Sequence, residues 1–147
     1  MSPNTSHNER RQLQRFPAAE LLVRFHTSPL ALGRGEKAEA EDFTRTGLSL
    51  ITRRPLKEGE RLRLTLRLRL DHGEIVQRGV VAIVRNQKPQ QDGYRYGLLF
   101  DFQANHRMRA LKTQARLGRM EGILDRMAQL ASRHQSGEEL LQGYGKK

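Results

Sequence analysis

The sequence has no cysteine and no tryptophan among its 147 residues, and aromatic residues make up only 5% of it. The absence of cysteine excludes disulfides, thiol catalysis and cysteine-ligated zinc. Apolar runs such as Val80–Val84 fall far short of the roughly 18 residues that span a bilayer. The polar start Met1–Glu9 also lacks the apolar stretch of a secretory signal. We therefore expect a soluble, cytoplasmic protein with a modest aliphatic core and no membrane insertion.

Acidic residues are scarce relative to basic ones. The chain has 27 Lys and Arg against 16 Asp and Glu, which gives a formal net charge of +11. Such an excess indicates a polyanionic partner, which could be nucleic acid, a nucleotide or an anionic membrane surface.

The middle of the chain has the two-residue periodicity of β-strands. In Arg61–Leu70 every even position is Leu and every odd position is Arg or Thr, so one face is apolar and the other polar, largely cationic. We expect the arginines on the solvent face. A polar loop containing Pro89 and Gly93 separates the last two predicted strands. Several short strands joined by turns predict an antiparallel barrel or sandwich. The other predicted strands are Leu21–Phe25, about Lys37–Phe43, Gly47–Thr52, Ile75–Arg85 and Tyr94–Phe102.

From about Ala104 the periodicity changes to that of an amphipathic helix. The predicted organisation is an N-terminal arm at 1–19, a β domain at 20–102, a helix at 103–135 and a frayed tail at 136–147. A helix of about 30 residues is roughly 45 Å long, which is more than a small barrel can cover. Its distal half, around Met120–Leu130, is therefore a candidate for self-association or for docking a partner.

Catalytic and metal-binding patterns find no support, so we expect no enzyme and no metal. Ser49 lacks the second glycine of a nucleophile elbow. Gly33-Arg34-Gly35 is neither a phosphate-binding P-loop nor a dinucleotide fingerprint, and a surface turn explains it better. The five histidines are scattered without a close carboxylate partner.

Two short segments could together hold a nucleotide. Arg11 and Arg15, preceded by Arg10, lie in the arm, and arginine presents a planar fork of donors that suits phosphate oxygens or the guanine O6/N7 edge. Asp42 can accept from the N1–H and N2–H donors of guanine. The hydroxyl of Thr44 and the backbone N–H of a nearby glycine, Gly47, can support a base or phosphate. These groups indicate a site for a guanine nucleotide and its phosphates.

The order Arg11-x-x-x-Arg15, then Asp42-x-Thr44-x-x-Gly47, resembles the two-part signature of PilZ domains, receptors for the bacterial second messenger cyclic di-GMP. The resemblance covers roughly residues 9–102, with the helix following as it does in that family. It implies a six-stranded antiparallel β-barrel with a long C-terminal α-helix, so the fold class is mainly β. One departure is Thr44, where the family has Ser; its added methyl group restricts χ1 and can crowd the ligand.

The resemblance also implies roles for single residues. Arg11 and Arg15 would grip guanine edges and phosphates with help from Arg10, Asp42 would pair with a guanine edge, and Thr44 and Gly47 would line the turn. The function implied is a non-enzymatic receptor without a cofactor, which binds cyclic di-GMP, changes conformation and signals to an unidentified protein. Two alternatives stay open. One is a nucleic-acid-binding barrel that uses its cationic strand and helix, and the other is an assembly protein that binds no nucleotide.

Overall fold

The computed structural model describes residues 19–28 and 33–145, with side chains described at 20–28 and 33–133. The fold is mainly β, as predicted: six antiparallel strands form a closed barrel, and helical segments follow it. Around the barrel the strands run in the order β1-β2-β3-β6-β5-β4, and β4 pairs with β1 to close it. The strands are β1 (Ala19–His26), β2 (Glu36–Thr44), β3 (Gly47–Thr52), β4 (Arg61–Leu70), β5 (Gly73–Gln90) and β6 (Gly93–Phe100).

The alternation of β4 sets the inside and outside of the barrel. Its residues Leu62, Leu64, Leu66 and Leu68 are fully buried, while the arginines between them face outwards, as expected. Because side chains on a strand point alternately to its two faces, this one strand supplies four core residues and a cationic outer row. The core is largely aliphatic, and the buried Tyr96 satisfies its hydroxyl by accepting from Leu56 N (2.8 Å).

The β5–β6 connection differs from the prediction of a polar loop. The two strands stay paired through Pro89↔Tyr94 and Gln90↔Gly93, so the turn contains only residues 91 and 92. Proline is tolerated because β4 pairs with β5 only as far as Ile83, which leaves the last part of β5 as an edge strand. The prediction of a loop was wrong because this hairpin is polar in composition although its two strands stay paired.

The C-terminal helix also differs from its predicted bounds of 103–135. Asn105 caps a four-residue helix α1 (His106–Arg109) by accepting from Met108 N, and the extended backbone of Ala110 separates it from α2 (Leu111–Gly145). Helical backbone thus continues through most of 136–147, the predicted frayed tail. This segment lacks proline and contains Glu, Leu and Gln, which favour helix.

The first half of α2 packs against the barrel. Leu117, Met120 and Ile123 are buried in the same core cluster as the inward strand residues, and Met127 is partly buried against it. The candidate docking stripe at Met120–Leu130 is therefore largely used for core packing, and among its large apolar residues Leu130 is the exposed one. No helix within the described residues is long and apolar enough to cross a membrane.

Candidate functional site

A β-bulge at the end of β2 turns Asp42 out of the barrel. Ala38 and Ala40 pack against the core, and strict alternation would point Asp42 inwards as well. The β2–β3 register shifts between Glu41 and Thr44, and Asp42 takes a left-handed backbone with φ of 50°. Aspartate adopts this conformation more readily than most residues. The bulge inserts Phe43 towards the core in its place and leaves the Asp42 side chain 72% exposed.

The carboxylate of Asp42 is paired with an arginine that the sequence analysis did not find. Arg95 on β6 donates through Nη2 to Asp42 Oδ2, and its Nη1 lies 3.4 Å from Glu41 Oε2. The same guanidinium reaches Ser49 Oγ at 3.4 Å across β3. Arg95 aligns with Ile51 in the β3–β6 register, so one strand separates it from β2. The outer face of β2, β3 and β6 thus carries donors and acceptors side by side.

The hydroxyl of Thr44 stabilises the turn that follows. Thr44 Oγ1 accepts from the backbone N–H of Thr46 at 3.2 Å and lies 3.3 Å from the carbonyl oxygen of Gly47, to which it donates. A serine or threonine hydroxyl that bonds nearby backbone in this way holds a tight turn. Thr44 is exposed at the surface of the barrel.

Gly47 has a packing requirement of its own. It is buried at the start of β3, and a Cβ at this position would overlap the backbone carbonyl oxygen of Leu98 on β6. Because that oxygen belongs to a paired strand, it cannot move aside cheaply. The glycine of the motif is therefore needed for close approach of β3 to β6, which in turn sets the position of the turn.

Arg45, at the tip of the turn, ties the turn to the helix. Its backbone N–H donates to Glu121 Oε2 at 2.9 Å and its Nε donates to Oε1 at 2.8 Å. These hydrogen bonds, together with the charge of Arg45, hold the pKa of Glu121 below its ordinary value. A Cβ at Gly118, one turn earlier on α2, would lie within 4 Å of the Arg45 guanidinium. Residues 76 positions apart in the chain thus connect the turn with α2.

Three predicted site residues, Arg10, Arg11 and Arg15, lie outside the described residues. The start of β1 nevertheless shows where the arm joins the barrel. β1 and β2 are antiparallel, with Val23 aligned with Ala38, so the start of β1 lies towards the end of β2. The chain before β1 therefore joins the barrel at the end where the β2–β3 turn lies. Four residues from Ala19 to Arg15 span at most about 14 Å.

Within the described residues, no group of three or more His, Asp and Glu is arranged to hold a metal ion. The described residues of this face offer the carboxylates of Glu41 and Asp42, the guanidinium of Arg95 and several hydroxyl and backbone groups, which suit a polar organic ligand.

The model of the PilZ domain family matches residues 9–115 of the chain. The match includes the arginine segment, the β2–β3 turn, the whole barrel and the first turn of α2. No curated protein matches the chain.

Proposed function

Because the chain belongs to the PilZ domain family, whose members in general bind cyclic di-GMP and are not enzymes, we propose that it is a cytoplasmic cyclic di-GMP receptor. The ligand binds between the arginine arm and the β2–β3 turn. Binding changes the presentation of the arm and of α2 to a protein partner.

The observation that carries this proposal is the placement of Asp42. A bulge with a left-handed residue holds its carboxylate outwards, at the barrel end where the arginine-bearing chain enters β1. An aspartate that served only to form the turn would not need a carboxylate that points outwards beside Arg95. In the complex, Asp42 accepts from the N1–H and N2–H of one guanine, because a carboxylate matches that pair of donors.

Arg11 and Arg15 supply the complementary half of the site. Each guanidinium offers two parallel donors to guanine O6 and N7 or to phosphate oxygens, and Arg10 adds a further donor. The ligand would thereby bridge the arm and the barrel. Thr44 and Gly47 act by shaping the turn: the first through its hydroxyl, the second by allowing β3 to approach β6.

Binding of guanine at Asp42 requires an exchange of partners. In the free protein Arg95 forms an ion pair with the Asp42 carboxylate, and both side chains are partly solvent-exposed. An ion pair of this kind contributes only about 0–1 kcal/mol, so the ligand can displace it at small cost. The freed Arg95 guanidinium then faces the ligand and can donate to a phosphate or to guanine O6.

The contact between Arg45 and Glu121 can couple ligand binding at the β2–β3 turn to α2. Arg45 lies three residues after Asp42, and it holds Glu121 through both its backbone and its side chain. A shift of the turn on binding therefore changes a contact of α2. A ligand moves such an equilibrium only by the difference in its affinity for the two states, so disrupting Arg45–Glu121 is expected to alter the affinity as well.

Calorimetric titration of the full chain tests the proposal. Cyclic di-GMP is expected to bind, whereas GMP and GTP bind much more weakly because they cannot place two guanines at once. Asp42→Asn and Arg15→Ala are each expected to weaken binding by about 1–3 kcal/mol, as for other bidentate guanine contacts. Asp125→Asn, an exposed acidic residue on α2, is the matched control and should bind normally. Absence of binding by the unmodified chain would leave the assembly-protein alternative as the better account.

A further inference from the structure

A second polar surface lies on the other side of the barrel. It is a groove of about 930 Å³ over the outer faces of β1, β4 and β5, which we call the cationic groove. Its centre on β4 is separated from β3 by two strands in either direction around the barrel, and its rim includes Lys37 and Ala38 of β2. The charged residues that line it are Glu20, Arg24, Arg34, Lys37, Arg63, Arg67, Arg69, Arg78 and Arg107.

The charge of this groove is almost entirely of one sign. Of the nine charged lining residues that the structure describes, eight are basic, and seven of those are arginines. Its own carboxylate, Glu20, lies opposite Arg69 in the β1–β4 register, and Glu74 lies 3.5 Å from Arg67 at one edge. Within the described part of the chain, basic side chains therefore outnumber carboxylates in and beside the groove. Like charges this close repel one another, so an arrangement of this kind is stabilised when an anion occupies it.

The row along β4 sets the length of the surface. Outward residues of a strand are separated by about 6.8 Å, so Arg63 and Arg69 are roughly 20 Å apart. Arg24 lies beside the middle of this row, level with Thr65, and extends it sideways onto β1. Double-stranded DNA carries one phosphate charge per roughly 1.7 Å of its axis, so about 12 phosphates fall within the same length. The row therefore matches an extended polyanion better than a small one.

A second bulge brings two more arginines to the groove. The β4–β5 register shifts between Leu64 and Leu66, where Gly79 on β5 has φ of +68°. A Cβ at Gly79 would overlap the guanidinium of Arg107, which lies across this backbone from α1. Arg78, next to it, is exposed and lines both the groove and a smaller pocket that continues towards α2. The bulge thus widens the cationic surface beyond the sheet.

We propose that the cationic groove binds the phosphate backbone of double-stranded nucleic acid without reading its sequence. Arginine forks bind phosphate oxygens in pairs, which favours phosphate over other anions. None of the described lining residues is Phe, Tyr or Trp, so there is no platform for the unstacked bases of a single strand. The lining also has few apolar side chains, whereas a peptide gains affinity from apolar anchors in pockets.

Fluorescence anisotropy with a labelled 20-base-pair DNA duplex of mixed sequence and the full chain tests this proposal. Binding is expected at 50 mM salt, with a similar affinity for a duplex of unrelated sequence. Arg69→Gln and Arg78→Gln should each weaken binding by about 5–10-fold and reduce the salt dependence by about one phosphate contact. Both side chains are exposed, so the barrel should fold in each variant, which circular dichroism verifies.

The matched control is Arg85→Gln, which removes an exposed arginine of the same strand, β5, outside the groove. It should leave duplex affinity within about twofold. Three results would overturn the proposal: no duplex binding at 50 mM salt, an equal loss with Arg85→Gln, or equally tight binding of a poly-glutamate peptide. The last result would assign the groove to an acidic protein segment. Asp42→Asn should bind the duplex normally, so this test is separate from that of the nucleotide site.

Discussion

The two faces of this barrel differ in the variety of their charges. Around Asp42, the guanidinium of Arg95 lies within hydrogen-bonding reach of both a carboxylate, Asp42, and a hydroxyl, Ser49. The described lining of the cationic groove contains eight basic side chains and Glu20, and Glu74 lies at its edge. A face with both donors and acceptors can distinguish a small ligand by its pattern of N–H and O groups, as guanine edges require. A face of one sign responds to charge density alone, and its affinity therefore depends on salt.

The largest expected difference between the two faces is their response to salt. Raising salt from 50 to 200 mM should weaken duplex binding by about 10²–10³-fold if about five phosphates are neutralised. Cyclic di-GMP carries two phosphates, so its affinity should fall by about tenfold or less. Anisotropy and calorimetry at matched salt concentrations measure both. Equal salt dependence of the two ligands would mean that they share one surface.

Next in size is the effect of Gly47 on stability. Gly47→Ala introduces a Cβ that overlaps the Leu98 carbonyl oxygen, and we expect it to lower the free energy of unfolding by about 2–3 kcal/mol. Gly122→Ala on α2 is the matched control, since a Cβ there meets no atom within 4 Å, and it should stabilise by about 0.5–1 kcal/mol. Urea denaturation measures both. A neutral Gly47→Ala would show that the close approach of β3 and β6 is not required.

A smaller effect, the loss of duplex affinity on substitution of Gly79, is expected at the cationic groove alone. Gly79→Ala displaces Arg107 from its place over β5 and should weaken duplex binding by about 3–10-fold while leaving cyclic di-GMP affinity unchanged. Arg107→Gln should reproduce the loss on a normal backbone. Anisotropy and calorimetry of both variants provide the comparison. A loss of cyclic di-GMP binding in either variant would contradict the separation of the faces.

The smallest effect concerns the link from the turn to the helix. Because the folded protein lowers the pKa of Glu121, its ionised form stabilises the fold above its unfolded pKa, and this contribution is lost as pH falls through the lower, folded pKa. Glu121→Gln should therefore make the melting temperature less dependent on pH between about 5 and 3 than in the unmodified chain. The exposed Glu58→Gln is the control. Identical pH profiles for both variants would mean that the Arg45 contact adds no stability.

The local sequence pattern was sufficient to predict much of the fold. The alternation of Arg61–Leu70 predicted β4 and its two faces because the period of two is a property of the segment itself. The bounds of β3 also followed from local sequence. The β5–β6 hairpin did not, since the strand beside it decides whether Pro89 is tolerated.

The candidate site was less accessible to sequence reasoning. Asp42 and Thr44 were found through their spacing, but Arg95 and Glu121 lie 53 and 76 residues from their partners. Only the register of the barrel and the packing of α2 bring them together. The bulges at Asp42 and Gly79 could not be predicted from the sequence either. Alternation alone would place Asp42 inside the barrel. Part of the predicted docking stripe is core for the same reason: burial of Met120 depends on where α2 packs.

The position of bound cyclic di-GMP tests the central claim most directly. In a titration of the isotope-labelled full chain followed by amide NMR, we expect the resonances of Asp42, Arg45 and Thr46 to shift and saturate together. The Arg45 amide, which donates to Glu121, should report both binding and the link to α2. Saturable shifts centred on Arg67 and Arg69, with the turn unaffected, would contradict the account.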